Sequence, residues 1–134
     1  MQDRKTLLEI ILRYEDPGAL PELRRDLATY GYDCEEDLVT LTSATIVAVL
    51  ERYLQGELTA KEVFEWVEFM EQREDIEFGR ENEDDIGVQE IIFKIGTPEL
   101  EGPLTVQRAE ALIKVLNTKK SPSAEDIGLA YARS

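Results

Sequence analysis

Hydrophobic residues recur along this chain at spacings of three and four, which places them on single faces of successive helices. The stripes are Leu7, Leu8, Ile11, Leu12; Leu20, Leu23, Leu27, Tyr30; Ile46, Val49, Leu50, Tyr53; Val63, Trp66, Val67, Met70; Val88, Ile91, Ile92, Ile95; and Val106, Ala109, Leu112, Ile113, Leu116. No segment alternates convincingly over four or more residues, as a half-buried strand would. The pattern therefore predicts an all-α fold, a compact bundle of about six short helices.

Helix-start signals precede three of these stripes. The dipeptide Leu-Thr stands at 41–42, 58–59 and 104–105. Thr42 is a suitable N-cap, and Thr59 with Glu62 forms a capping box, in which side chain and backbone cap each other reciprocally. Gly56 suits the left-handed residue that closes a helix. The unequal spacing indicates repeated use of one capping solution and not a repeat architecture.

These helices predict one domain followed by a tail. The predicted domain covers residues 1–118, and a flexible tail follows over 119–134. Within the domain we expect an N-terminal hairpin over 3–30, a central helix pair over 42–73 and C-terminal helices over 84–118. Asp3 is the expected cap of the first helix, and Asp84 or Asp85 of the fifth.

Two connecting segments are predicted to lack regular structure. Residues 38–41 have strand propensity, but a lone strand needs a partner, so we expect an extended lead-in to the next helix. Residues 71–85 are rich in acidic side chains and are predicted to form an acidic loop.

Charge is the strongest signal in the composition. The chain has 29 acidic and 15 basic residues, a formal net charge of -14. Such a field repels phosphate backbones and anionic lipids and attracts basic surfaces. We therefore expect no direct nucleic-acid partner, no membrane partner and a basic protein as partner. The competing interpretation is that the acidity only keeps the protein soluble.

The sequence offers little to catalysis. It contains no histidine and one cysteine, Cys34, among acidic neighbours that disfavour the reactive thiolate. We expect a non-enzymatic protein with no catalytic residues, no cofactor and no metal site. The lone cysteine excludes an intramolecular disulfide, and neither a signal-peptide pattern nor a membrane-spanning run is visible, so a cytoplasmic location is expected.

Two groups of carboxylates have a spacing that suggests metal ligands. Glu62, Glu65, Glu68 and Glu71 recur every third residue, but carboxylate-bridged metal bundles also use histidine ligands, so a solvated helix face is favoured. Residues 81–87 superficially suggest a calcium loop, yet Ile86 stands where the sharp turn needs glycine.

The acidic loop is the best candidate for a binding surface. Its charges would steer a basic partner, and its apolar residues would anchor one. The candidate partner-binding residues are Glu71, Glu74, Asp75, Ile76, Glu77, Phe78, Glu81, Glu83, Asp84 and Asp85. The alternative is a solubilising loop in which Ile76 and Phe78 are buried in the core.

The stretch from Tyr53 to Phe64, followed by an acidic helix and loop, resembles the helix-turn-helix near the start of colicin D-type immunity proteins. It is also similar to uncharacterised small bacterial proteins with the same helix pair. Those immunity proteins are acidic helical domains that inactivate a basic tRNA-cleaving toxin by covering its active site. The resemblance covers about a dozen residues and implies an acidic surface opposed to a basic enzyme.

The sequence thus predicts a protein-binding module, an inhibitor or immunity-like partner of a basic protein. One alternative is a structural or regulatory subunit that associates through an apolar helix face carrying Phe64, Trp66 and Phe69. A carboxylate-dependent metal hydrolase is a further alternative. Homo-oligomerisation is left open.

Overall fold

The computed structural model describes residues 4–30, 39–73, 75–78, 87–118 and 124–132. These ranges contain eight helices and two strands: α1 (Arg4–Arg13), α2 (Leu20–Ala28), β1 (Val39–Leu41), α3 (Ser43–Leu54), α4 (Ala60–Glu71), β2 (Ile76–Phe78), α5 (Gly87–Gly96), α6 (Pro98–Glu101), α7 (Val106–Thr118) and α8 (Ala124–Ala132). A 3-10 turn, Pro17–Ala19, precedes α2. The predicted all-α fold is confirmed. None of the helices in the described ranges has the length and apolarity needed to cross a membrane.

Helix α4 lies at the centre of the hydrophobic core. It packs on α5 and α3, while α7 packs on α3, and α8 lies against both α5 and α7. The side chains of Trp66, Val67 and Met70 are at most 1 % exposed. Most residues of the other predicted stripes contribute to the same core cluster, because each amphipathic helix is stable only with its apolar face covered. The prediction is wrong for Tyr30 and Val106, at the ends of their stripes, which are 37 % and 48 % exposed.

The predicted capping residues begin their helices as expected. Thr42 accepts a hydrogen bond from the Thr45 amide at 3.3 Å. Thr59 and Glu62 form the reciprocal capping box, with bonds of 3.1 and 2.9 Å. Thr105 accepts from the Arg108 amide. These side chains satisfy amides that the first helical turn leaves without partners.

The carboxyl end of α1 is held by side chains from α3 and α4. Trp66 Nε1 donates to the Ile11 carbonyl at 2.9 Å, and Arg52 donates to the Tyr14 carbonyl at 2.5 Å. The Tyr14 hydroxyl donates to the Glu62 carbonyl at 2.7 Å. Burial raises the pKa of Tyr14 to about 12, so its hydroxyl remains a donor at neutral pH. These bonds fix α1 against the central helix pair.

Strands β1 and β2 correct two predictions about the connecting segments. They pair in parallel, with Val39 opposite Ile76 and Leu41 opposite Phe78. The extended lead-in is therefore a strand, and the predicted acidic loop contains the end of α4 and a second strand. Three residues are too few to show an alternating pattern, and the parallel partners are far apart in the chain.

Helix α5 starts at Gly87, and its expected caps Asp84 and Asp85 lie outside the described residues, as does Asp3 before α1. The short helix α6, which no apolar stripe predicts, begins at Pro98. Proline is favoured at the first helical position because the backbone amide there makes no intrahelical hydrogen bond, so a residue without an N–H group loses none.

The prediction of a flexible tail is wrong for residues 124–132, which form α8. Its residues Ile127 and Tyr131 are buried. The Tyr131 hydroxyl donates to the Gly102 carbonyl at 3.0 Å, and the Arg108 guanidinium lies 4.5 Å from the Tyr131 ring centroid. Burial of two apolar side chains one helical turn apart stabilises α8, although its sequence begins with only a weak helix signal.

We expect the substitution Ile127→Ala to lower the free energy of unfolding by about 2 to 5 kcal/mol, because it removes buried side-chain volume. Leu129→Ala is the matched control, since Leu129 on the same helix is 46 % exposed, and its effect should stay near about 0.5 kcal/mol. Urea denaturation followed by circular dichroism measures both. Equal, small effects would show that α8 does not contribute to the core.

Candidate functional site

The ten predicted partner-binding residues divide into those that the structure describes and those that it does not. Glu74, Glu81, Glu83, Asp84 and Asp85 lie outside the described residues. Of the others, Glu71 and Glu77 are exposed and Phe78 is half-buried, whereas Asp75 and Ile76 are 0 % and 5 % exposed. The prediction that all of them form one binding surface is therefore wrong for Asp75 and Ile76.

Asp75 is a buried structural carboxylate held by two arginines. Arg73 donates to both of its oxygens, at 3.0 and 2.6 Å, and Arg4 donates to Oδ2 at 2.7 Å. The Asp75 carbonyl also accepts from the Val39 amide at 3.3 Å. The residue thus joins the start of α1, the end of α4 and the two strands. A buried charge is tolerated only with such complete pairing.

The two arginines also determine how Asp75 titrates. Burial by itself raises the pKa of this carboxyl, but the hydrogen bonds and charges of Arg73 and Arg4 outweigh it, so the pKa lies below its ordinary value of 3.8. Asp75 is therefore ionised at neutral pH and is not available to a partner.

A group of exposed acidic residues lies where the ends of two helices come near each other. We call Glu68 and Glu71 of α4 and Glu99 of α6 the acidic cluster; all three are exposed. A Cβ added to Gly96, at the end of α5, would overlap the Glu71 carboxylate. The carboxylate thus lies at the carboxyl ends of α4 and α5, where the helix dipoles are negative.

Glu71 has an unfavourable electrostatic environment. Partial burial raises its pKa above the ordinary 4.5, and the negative charges of Glu68 and Glu99 raise it further. No salt bridge to Glu71 exists within the part of the chain that the structure describes. A cation placed here would relieve this repulsion.

An aromatic notch lies beside the acidic cluster. It has a volume of about 190 Å³ and is lined by Glu71, Phe78, Gln89, Ile92 and Phe93. Phe93 on α5 is 42 % exposed. The notch therefore combines a carboxylate with accessible ring surface, which is the composition of an anchor point in many protein interfaces.

Phe93 is the exposed aromatic residue beside the acidic cluster, and it is not among the residues predicted from the sequence. Trp66 and Phe69 are 1 % and 3 % exposed, so the predicted apolar association face on α4 is wrong for both; Phe64 is half-buried. Phe93 falls outside the buried stripe of α5, and a helical projection of residues 88–95 would have placed it on the opposite face.

A larger groove of about 590 Å³ lies between α1 and α3. It is lined by Leu12, Arg13, Glu15, Ala44, Thr45, Ala48 and Arg52. Its two arginines do not suit a basic partner, and the Arg52 guanidinium already donates to carbonyls at the end of α1. The notch beside the acidic cluster is the better candidate site.

Of the two carboxylate groups with metal-site spacing, the one at 81–87 lies outside the described residues except for Gly87. Glu62 belongs to the capping box of α4. Across the ranges that the structure describes, no three side chains among Asp, Glu and Cys are arranged to hold a metal ion. Cys34 lies outside those ranges.

No protein-family model, curated protein or solved structure matches the chain. Function is therefore inferred from the charge and shape of its surface.

We expect Asp75→Asn to lower the free energy of unfolding by about 3 to 5 kcal/mol at pH 7, because the charged hydrogen bonds that Arg73 and Arg4 donate to the buried carboxylate are lost. Since the folded-state pKa is lowered, the stabilisation by Asp75 is present above its unfolded value near 3.8 and is lost as pH falls through that value and then the folded one. The difference from the wild type should therefore shrink below about pH 4 in chemical denaturation. Glu77→Gln, in the same strand but exposed, is the control and should change stability by about 0.5 kcal/mol or less.

We expect the Glu71 carboxyl to titrate above 4.5 in a carbon-13 NMR experiment. Glu68→Gln and Glu99→Gln should each lower this pKa, because each removes a negative neighbour. Glu110→Gln, an exposed change on α7, should leave it unchanged. A wild-type value at or below 4.5 would contradict the described environment.

Proposed function

We propose that this protein is a non-enzymatic binding module that captures a basic protein through the acidic cluster and the aromatic notch. The observation that carries this proposal is the like-charged group of Glu68, Glu71 and Glu99, without an ion pair in the described ranges, beside the exposed ring of Phe93. Mutual repulsion makes the group unfavourable in the free protein and favourable against a cationic surface.

The overall charge supports the same partner class. A net charge of -14 attracts basic proteins over distances of about one Debye length, roughly 10 Å at 0.1 M salt, and raises their rate of association. Attraction alone gives little specificity. The exposed Phe93 ring adds apolar area that leaves water on binding, which slows dissociation of a matched partner.

The rigidity of the surface also favours recognition. Glu68 and Glu71 are fixed on α4, which is buried along its opposite face, and Phe93 is fixed on α5, which packs on α4. Groups placed on packed helices lose little conformational entropy on binding. This is the behaviour expected of an inhibitor that presents a preformed surface.

In its most specific form, the proposal is an immunity-like inhibitor of a basic bacterial enzyme in the cytoplasm. The support is the resemblance of residues 53–64 to the helix pair of colicin D-type immunity proteins, together with the acidic surface. The resembling segment contributes the end of α3 and the start of α4, and the acidic cluster begins further along α4. The proposed binding residues are those of this surface and not the whole predicted loop.

We expect low-salt affinity purification from a bacterial lysate to capture a basic protein, and the triple variant Glu68→Lys, Glu71→Lys, Glu99→Lys to lose it. The matched control is Glu51→Lys, Glu110→Lys, Glu125→Lys, which alters three exposed glutamates on other helices and changes the net charge equally. The control should keep most of the binding, because a specific interface depends on where charge lies.

Mass spectrometry identifies the captured protein, and titration calorimetry at increasing salt measures its affinity. Affinity should fall as ionic strength rises. Equal loss of binding in both triple variants would indicate attraction by net charge only and would contradict the proposed surface. Circular dichroism of each variant checks that it is folded.

A further inference from the structure

We propose that the aromatic notch receives one arginine side chain of the partner, with its guanidinium paired to Glu71 and stacked on Phe93. This inference rests on the proposed function and narrows it, from an acidic surface for a basic protein to a single anchoring residue. The notch of about 190 Å³ is smaller than the roughly 300 to 1,000 Å³ typical of small-molecule sites. Its size suits one inserted side chain.

The lining of the notch matches the chemistry of arginine. Phe78 at the end of β2 and Phe93 on α5 supply ring surface, and Ile92 supplies aliphatic surface. A guanidinium stacks on an aromatic face and at the same time donates to a carboxylate, whereas the compact ammonium of lysine is more strongly hydrated and does not stack. Glu71 supplies that carboxylate at the wall of the notch.

The protein already uses this combination within its own fold. The Arg73 guanidinium lies 5.8 Å from the Phe69 ring centroid while it donates to both oxygens of Asp75. The notch offers the same two groups, a phenylalanine ring and a carboxylate, without an arginine of the described chain ion-paired to Glu71. Arg73 is thus an internal model for the proposed contact.

Charge complementarity determines which kind of side chain the notch prefers. Glu68 and Glu99 place two further negative charges near Glu71. An acidic or neutral side chain in the notch would leave this repulsion in place, whereas a cation removes it. The exposed ring of Phe93 is therefore expected to contact a cationic residue and not an apolar one.

The test is an NMR titration of the full-length, isotope-labelled protein at low ionic strength. The probes are Nα-acetyl-arginine methylamide, its lysine counterpart and its citrulline counterpart, which is a neutral near-isostere of arginine. We expect the arginine probe to give saturable shifts at Phe78, Phe93 and Gly96. The lysine probe should bind more weakly, and the citrulline probe should give no saturable shift.

Two variants and two matched controls locate the site. Phe93→Ala and Glu71→Gln should each weaken binding of the arginine probe about three- to tenfold. Leu129→Ala and Glu110→Gln alter residues of comparable character at the surface of α8 and α7, and they should have no effect. Equal binding of arginine and citrulline, or insensitivity to both notch variants, would overturn the inference.

The outcomes separate this inference from the proposed function. Capture of a basic protein that is lost in the triple lysine variant but is unchanged by Phe93→Ala would retain capture through the acidic cluster and reject the arginine notch. Specific binding of the arginine probe without capture of any basic protein would retain the notch and reject the function.

Discussion

The buried carboxylate of Asp75 is the interaction on which the arrangement of this protein depends. Its partners come from the beginning of α1 and the end of α4, and its own backbone leads into β2 and bonds to β1. Removing an anion from water is unfavourable by several kcal/mol in proteins, and only the complete pairing with Arg4 and Arg73 offsets this cost. The same pairing fixes the chain between Glu71 and Phe78, two residues that line the notch.

The exposed carboxylate of Glu71 differs from that of Asp75, because its surroundings destabilise the ionised form. Asp75 is stabilised as an anion, whereas Glu71 is an anion beside other anions and at the negative ends of two helices. Asp75 is four residues after Glu71, the last residue of α4. The fold thus buries one carboxylate with two arginines and leaves the other exposed, with no ion pair among the described residues. An exposed charge with unfavourable neighbours is more typical of a recognition surface than of a structural one.

Local signals allowed much of the fold to be predicted. The capping residues Thr42, Thr59 and Thr105 act over one helical turn, and the apolar stripes reflect the helical period, so both can be read without knowing what packs against them. The position of Phe93 was also readable, because it departs from the stripe of α5. The candidate site was only partly predictable. Glu68 and Glu71 are three residues apart on α4, so their proximity follows from helical spacing. Glu99 belongs to the acidic cluster only because the tertiary structure brings α6 within electrostatic reach of Glu71.

The sequence by itself determined the six helices with apolar stripes, the starts at Thr42, Thr59 and Thr105 and the sign of the surface charge, because each depends on residue type and short-range spacing. Tertiary structure alone decided that residues 76–78 form a strand, that residues 124–132 form a packed helix, and that Asp75 is buried. These features depend on partners distant in the chain: a strand needs another strand, a weak helix needs a face to cover, and a buried carboxylate needs cations. The negative charge was thus given by composition, whereas its position beside an exposed aromatic ring follows from how the helices pack.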